Sequence, residues 1–266
     1  MTSEAPRLGE GLSLRRMPAH WMLGRLGKRV MRPGGLGSSQ WLIDRLGIGP
    51  DDDVVEMWPG LGRTTALALT RKPRSYVGIE RGEAEAARAR RAFGGPDQRC
   101  IVAPVHRSGL PDRCASALYG EALLTLEPAG RKVEIVAEAA RLLRPDGRYG
   151  VHELLLTPDD LPEETKTEIQ AVLTRVLRIG ARPLTRTEWH ELLAGSGFAV
   201  REERTTPLLL LEPRTVLADE GAGGTAAILG RALAHPQVLP RLAAFYRVFH
   251  RYRHHLGAIT LVASRT

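Results

Sequence analysis

Residues 54–65 read VVEMWPGLGRTT. Val54, Val55 and Met57 make a short apolar run of strand size, and Glu56 interrupts it near its end. Gly60-Leu61-Gly62 then supplies a turn, and a helix is predicted over 63–70. A strand entering a glycine turn and then a helix lets bare backbone N–H groups approach a ligand closely. Trp58 stands where the first glycine of such a loop is expected, with Pro59 next to it.

The same alternation continues outward from this stretch. Strands are predicted over 75–79, 100–105, 115–119 and 148–156, then within 198–211 and over 258–263. Helices are predicted over 83–93 and in the second half of 122–143, which stops at a tight turn, Arg144-Pro145-Asp146-Gly147. Further helices are predicted over 163–179 and 187–195, the latter capped by Thr185 or Thr187, and over most of 218–252 with breaks at 221–224 and 235–236. Helical spacing also marks the first 35 residues, which end in Pro33-Gly34-Gly35, and Ser38 or Ser39 is placed to cap a helix through Leu46. Short connections between strands and helices imply a parallel sheet covered on both faces. Residues 1–47 read as a helical lid and 48–266 as one domain with a helical insertion at about 213–256.

Four features then fall in order. Glu56 ends the first strand before the glycine turn. Glu80 ends the second in YVGIE, twenty residues past Gly60, an offset at which nucleotide-binding folds place a carboxylate on ribose hydroxyls. GLPDRCASALYGEALL carries a turn into the fourth strand, and EAARLLRPDGRYGVHEL carries a helix, a turn and the fifth strand. This series resembles the class I S-adenosylmethionine-dependent methyltransferases over roughly 54–153, and more loosely to the last strand. The resemblance implies an α/β, Rossmann-like fold: a mostly parallel seven-stranded sheet, helices on both faces and a helical cap. It also implies S-adenosylmethionine as cofactor, held by Glu56, Trp58, Gly60, Gly62, Glu80 and Pro104.

Two of those positions depart from the family pattern. Trp58 would bring an indole to where the methionine portion of the cofactor lies. Pro104 falls where the family often has an acid for the adenine amino group, and proline offers neither a carboxylate nor a backbone donor; His106 is the nearest substitute. The implied activity is methyl transfer to a small molecule in specialised metabolism. An enzyme on the same fold that eliminates, cyclises or rearranges its substrate stays open as an alternative, and so does a non-catalytic binding subunit.

Catalytic candidates follow the strand ends. Glu121 and His152 suit proton transfer by type, Glu121 being the stronger candidate, and Tyr119 could donate its hydroxyl; a place in the core is the competing role for His152 and Tyr119. Trp21, with His20 beside it, and Glu153, Arg251 and His254 are candidates for touching substrate. His250 and His254 share a helical face, but no third ligand is evident, so no metal site is expected.

The net charge is +8, and only four of the 38 basic residues are lysines. Arginine suits anionic ligands through its planar fork, so an acidic small molecule is the expected partner. Aromatics make up 5%, too few for a base-stacking platform, which argues against nucleic acid. Cys100 and Cys114 read as core residues rather than a disulfide or metal pair. No apolar run has bilayer length and residues 1–11 lack a leader pattern, so a cytoplasmic protein without membrane attachment is expected. The helical insertion leaves room for a homodimer.

Overall fold

The computed structural model describes residues 11–208 and 210–266. The first ten residues, which open the expected lid and carry most of the reading against a leader, lie outside it, as does Leu209.

Strand β1 (Asp53–Met57) pairs in parallel with β2 (Ser75–Glu80) and β4 (Ala115–Glu121). β3 (Gln98–Val102) extends the sheet beyond β2, and β5 (Leu143–Leu156) extends it beyond β4, both in parallel. β6 (Leu184–Thr185) adds a two-residue pairing to β5. β8 (Leu256–Arg265) runs antiparallel to β5, and β7 (Phe198–Pro207) runs antiparallel to β8. The order β3-β2-β1-β4-β5-β8-β7 is the expected mostly parallel seven-stranded sheet; β6 stands off that path as an eighth strand.

Side-chain alternation along the strands builds two cores. Val55, Met57, Leu118 and Val151 face α5 (Ala129–Leu142) and α7 (Arg186–Ala194). Val54, Tyr76, Ala117 and Tyr119 face the other way, onto Leu42, Ile43 and Leu46 of α2 (Gly35–Leu46). Helix α3 (Arg63–Leu69) packs beside α2, and α4 (Glu83–Ala89) lies against β2 and β3. A third cluster joins α1 (Ala19–Leu26) to α8 (Pro213–Ala234) and α9 (Leu239–Arg251) through Met22, Leu26, Ala232 and Phe245. With α6 (Glu163–Leu177), these helices roof the ends of the parallel strands.

Several local expectations change. Of the two N-terminal helices, α1 joins the roof while α2 packs on the sheet. α2 begins at Gly35, so Ser38 and Ser39 lie inside it, and the Leu36 N–H is capped instead by Asp219 of α8 at 2.9 Å. β5 begins at Leu143, and the expected turn at 144–147 lies inside it as an irregularity in its pairing with β4, with Asp146 at φ +61°. The expected break near 221 is a kink, with Gly221 at φ +73° and ψ 170° inside α8. Thr185 caps α7 in a reciprocal capping box with Glu188. Both cysteines are free. Among the described residues no helix is long and apolar enough to cross a membrane.

Candidate active site

A cavity of about 460 Å³ opens between the strand ends and the roof. One end is polar and is formed by the β1–α3 loop and the residues after β2. Trp58, Gly60, Thr64, Glu80, Arg81 and Glu85 line it. The other end is apolar, walled by Trp21 and Leu23 of α1, Met31 of the following segment, Leu36 of α2, and Leu177 and Phe249 of the roof helices α6 and α9.

The loop keeps the backbone of a glycine turn. Trp58 (φ +66°), Gly60 (+62°) and Gly62 (+72°) are all left-handed. For an L-residue such as Trp58 that conformation costs about 1–2 kcal/mol. The Trp58 N–H donates to the Ile79 carbonyl at 3.0 Å, which holds the loop to β2. Its indole packs on the α5-side core and lines the cavity, with the Arg81 guanidinium 3.8 Å from the ring centroid. The ring is therefore pinned at the cavity wall rather than folded under the N-terminal helix.

Glu80 reaches back to this loop. Its Oε1 accepts the Gly60 N–H at 2.6 Å, while its Oε2 is buried without a hydrogen-bond partner. Burial pushes its pKa up to about 7, outweighing the Gly60 hydrogen bond that favours the charged form. A Cβ built on Gly60 would meet Arg32 Nη2 and the Trp58 carbonyl at 3.9 Å, an ordinary contact distance, so the positive φ rather than crowding is what favours glycine there.

The other expected residues take different places. Glu56 is buried beneath α3, accepting from Thr65 Oγ1 at 2.5 Å and the Tyr76 hydroxyl at 2.7 Å. Tyr119 hydrogen-bonds Tyr76 in the same pocket, and neither Tyr119 nor Glu56 lines the cavity. Burial raises Glu56 to about 7 and raises Tyr119 far above its ordinary range. Gly62 is the N-cap of α3 and packs on Ala92. Pro104 is an exposed turn residue away from the cavity, and His106 does not line the cavity either.

Glu121 lies under the cavity floor. Ser39 Oγ donates to it at 2.6 Å, Thr64 donates to its other oxygen, and His152 Nδ1 sits 2.7 Å away. Arg32 completes the cage at 3.3 Å. Burial alone would raise this carboxyl, but the His152 hydrogen bond and the nearby Arg32 charge outweigh it and hold Glu121 at about 2. His152 is fully buried, with its Nε2 unpartnered. Glu121 and His152 thus support Ser39, Thr64 and Arg32, which do line the cavity. Glu153 accepts the N–H groups of Leu123, Leu124 and Thr125, so it caps a tight turn inside the protein. Arg251 pairs with Glu168 at the surface, and His254 is exposed; neither lines the cavity. Among the described residues no group of three His, Cys, Asp or Glu side chains is arranged to hold a metal ion.

Of the expected site residues, the structure brings Trp21, Trp58, Gly60 and Glu80 to one cavity. His20, named beside Trp21, lines it too, and the structure adds Arg32, Ser39, Thr64 and Arg81. Arg81 was within reach of sequence reading because it follows Glu80 directly. Arg32 had only its place before the Pro33-Gly34-Gly35 break as a signal.

No protein-family model matches the chain. An uncharacterized curated protein of Haemophilus influenzae is 29% identical over 219 residues, 80% of this chain and 85% of the relative. Among solved structures, the (4+2)-cyclase SpnF aligns with a TM-score of 0.65 at 18% identity, over 85% of this chain and 80% of that one. The cyclopropane synthase MmaA2 of Mycobacterium tuberculosis aligns at 0.63 and 15% identity, over 86% and 84%. Geranyl diphosphate C-methyltransferase of Streptomyces coelicolor A3(2), solved with S-adenosyl-L-homocysteine, aligns at 0.61 and 17% identity, over 86% and 79%. The chain therefore has the class I methyltransferase fold.

Proposed function

We propose that this protein is an S-adenosylmethionine-dependent methyltransferase acting on a small molecule. The observation that carries the reading is Glu80: a buried carboxylate beside a glycine turn, with one oxygen on Gly60 N–H and the other unpartnered. A ribose diol supplies the donors that such an oxygen lacks. The cavity volume falls in the range of small-molecule sites. A structural neighbour of the same fold was solved with S-adenosylhomocysteine, which supports the cofactor class.

In this reading Glu80 and the Gly60 backbone hold the nucleoside end, while Trp58 and Arg81 form the adjoining wall. The cofactor supplies a methyl carbon on a sulfonium, an electrophile that needs only an in-line acceptor. Ser39, Thr64 and Arg32, held by Glu121, shape the floor.

A second reading is favoured by Trp58 itself. Its ring, fixed by Arg81, stands at the wall beside the glycine turn, and the same fold serves the cyclase SpnF. In that case the chain is an enzyme that transfers no methyl group.

Calorimetric titration of S-adenosylmethionine and S-adenosylhomocysteine separates the two. The first reading expects wild-type binding, weakened by about ten-fold to a hundred-fold in Glu80→Gln, since loss of a hydrogen bond to a charged group is worth about 1.5–3 kcal/mol. Wild type that binds neither compound, together with a Trp58→Gly variant that binds both, would establish the second reading.

A further inference from the structure

We propose that the roofed end of the cavity is a subsite for a neutral, predominantly apolar substrate carrying a hydroxyl, and that His20 pairs with that hydroxyl. The inference rests on the reading of this cavity as the active site.

The charges lining the cavity are distributed unevenly. The two arginines nearest the roofed end are already committed. Arg29 pairs with Glu220 at 3.0 Å, and Arg32 with Glu121 at 3.3 Å. Arg32 also donates to the Glu121 and Pro59 carbonyls, at 3.2 and 3.4 Å. Arg63, Arg81 and Arg88, and the acids Glu80 and Glu85, belong to α3, α4 and the residues just before α4. Trp21, Met31, Leu36, Leu177, Ile179 and Phe249 supply the roofed walls. A carboxylate or phosphate against these walls would lose its hydration while Arg29 and Arg32 are already paired, which is costly. An apolar body fits these walls.

His20 is the titratable side chain among the roof residues that line the cavity. It is partly buried at the start of α1, with Trp21 edge-on at 5.5 Å between ring centroids. No side chain or carbonyl hydrogen-bonds its ring among the described residues. Burial, aided by the charge of Arg81, lowers its pKa to about 4, so it is neutral through the physiological range. A neutral imidazole offers one N–H and one lone pair, and a hydroxyl can meet either. His20 lines the same cavity as Arg81, which stacks on Trp58.

Three matched probes test this: 4-butylphenol, 4-butylanisole and 4-butylbenzoate, titrated by calorimetry into wild type, His20→Phe and His20→Gln. Wild type is expected to bind the phenol about ten-fold more tightly than the benzoate, because the buried carboxylate would stay unpaired. The phenol should also exceed the anisole by about five-fold, the worth of one hydrogen bond. His20→Phe should lose the phenol-over-anisole preference while anisole binding is unchanged, and His20→Gln should keep the preference. Benzoate bound as tightly as phenol by wild type overturns the inference without any variant, and so does a phenol preference that survives in His20→Phe. S-adenosylhomocysteine is titrated in parallel. Wild type that fails to bind it yet shows the phenol pattern loses the methyl donor and keeps this subsite. Wild type that binds it yet prefers benzoate keeps the donor and loses this subsite.

Discussion

The Nε of Arg32 lies 3.3 Å from Oε2 of Glu121, joining the segment between α1 and α2 to the end of β4 beneath the cavity. Glu121 is almost fully buried, and Ser39, Thr64 and His152 also hydrogen-bond it. Taking away one member of a buried pair leaves the other charge unpaired, a loss of about 3–5 kcal/mol. Arg32→Met is therefore expected to be destabilised by about 3 kcal/mol at neutral pH, measured by urea unfolding. The pH response has a definite sign. Glu121 has its folded pKa held at about 2, below the ordinary carboxylate value, so its contribution is present above that value and is lost as pH falls toward 2. Without Arg32 the folded pKa rises, and acid unfolding should begin at a higher pH than in wild type.

Glu56 makes the opposite contribution. Burial raises its folded pKa to about 7 from the ordinary 4.5, so the native state holds the proton more tightly than the unfolded chain. Its stabilisation is complete below pH 4.5 and is lost as pH rises through 7. Glu56→Gln removes this titration while filling the same space. The stability difference between wild type and Glu56→Gln should shift against wild type by roughly 3 kcal/mol between pH 4.5 and 7.5, read from denaturant unfolding at each pH.

Gly150 is expected to tolerate no side chain. A Cβ there would lie 2.8 Å from Leu42 Cδ1, 2.9 Å from Leu46 Cδ1 and 3.1 Å from Tyr119 Cβ. Gly150→Ala should push α2 away from β5 and cost about 1–3 kcal/mol, seen as a lower midpoint of thermal unfolding.

Asp219 caps α2 through the Leu36 N–H and lies 3.8 Å from the buried Lys28 amine. Asp219→Ala removes both interactions, and loss of a helix cap alone costs about 1 kcal/mol. Hydrogen exchange at Leu36 and Gly37 should speed up in this variant, while amides of β1 and β4 stay protected.

Much of the fold was legible in the sequence because its signals are local. Val54 and Val55 ahead of a glycine turn, Glu80 at the offset of a ribose acid, and Thr185 three residues before Glu188 each depend on near neighbours in the chain. The candidate site was legible where a residue belongs to such a motif, as Trp58, Gly60 and Glu80 do. It was not legible where a strand residue could turn to either face or meet a distant partner. Glu56, Glu121 and Glu153 all look like strand-end acids in sequence. The structure sends Glu56 beneath α3, cages Glu121 with groups from four other segments, and spends Glu153 on three backbone N–H groups.

The sequence by itself determined the alternation of strands and helices, the glycine turn after β1 and the carboxylate at the end of β2, because hydrophobic period and turn chemistry act over a few residues. Tertiary structure alone decided which acids are buried and paired, that Arg81 fixes the Trp58 ring, and that the cap of α2 comes from a residue 183 positions away. Those outcomes depend on desolvation and on partners brought together from distant parts of the chain, and the free energy of a buried polar group is set by the neighbours it meets after folding.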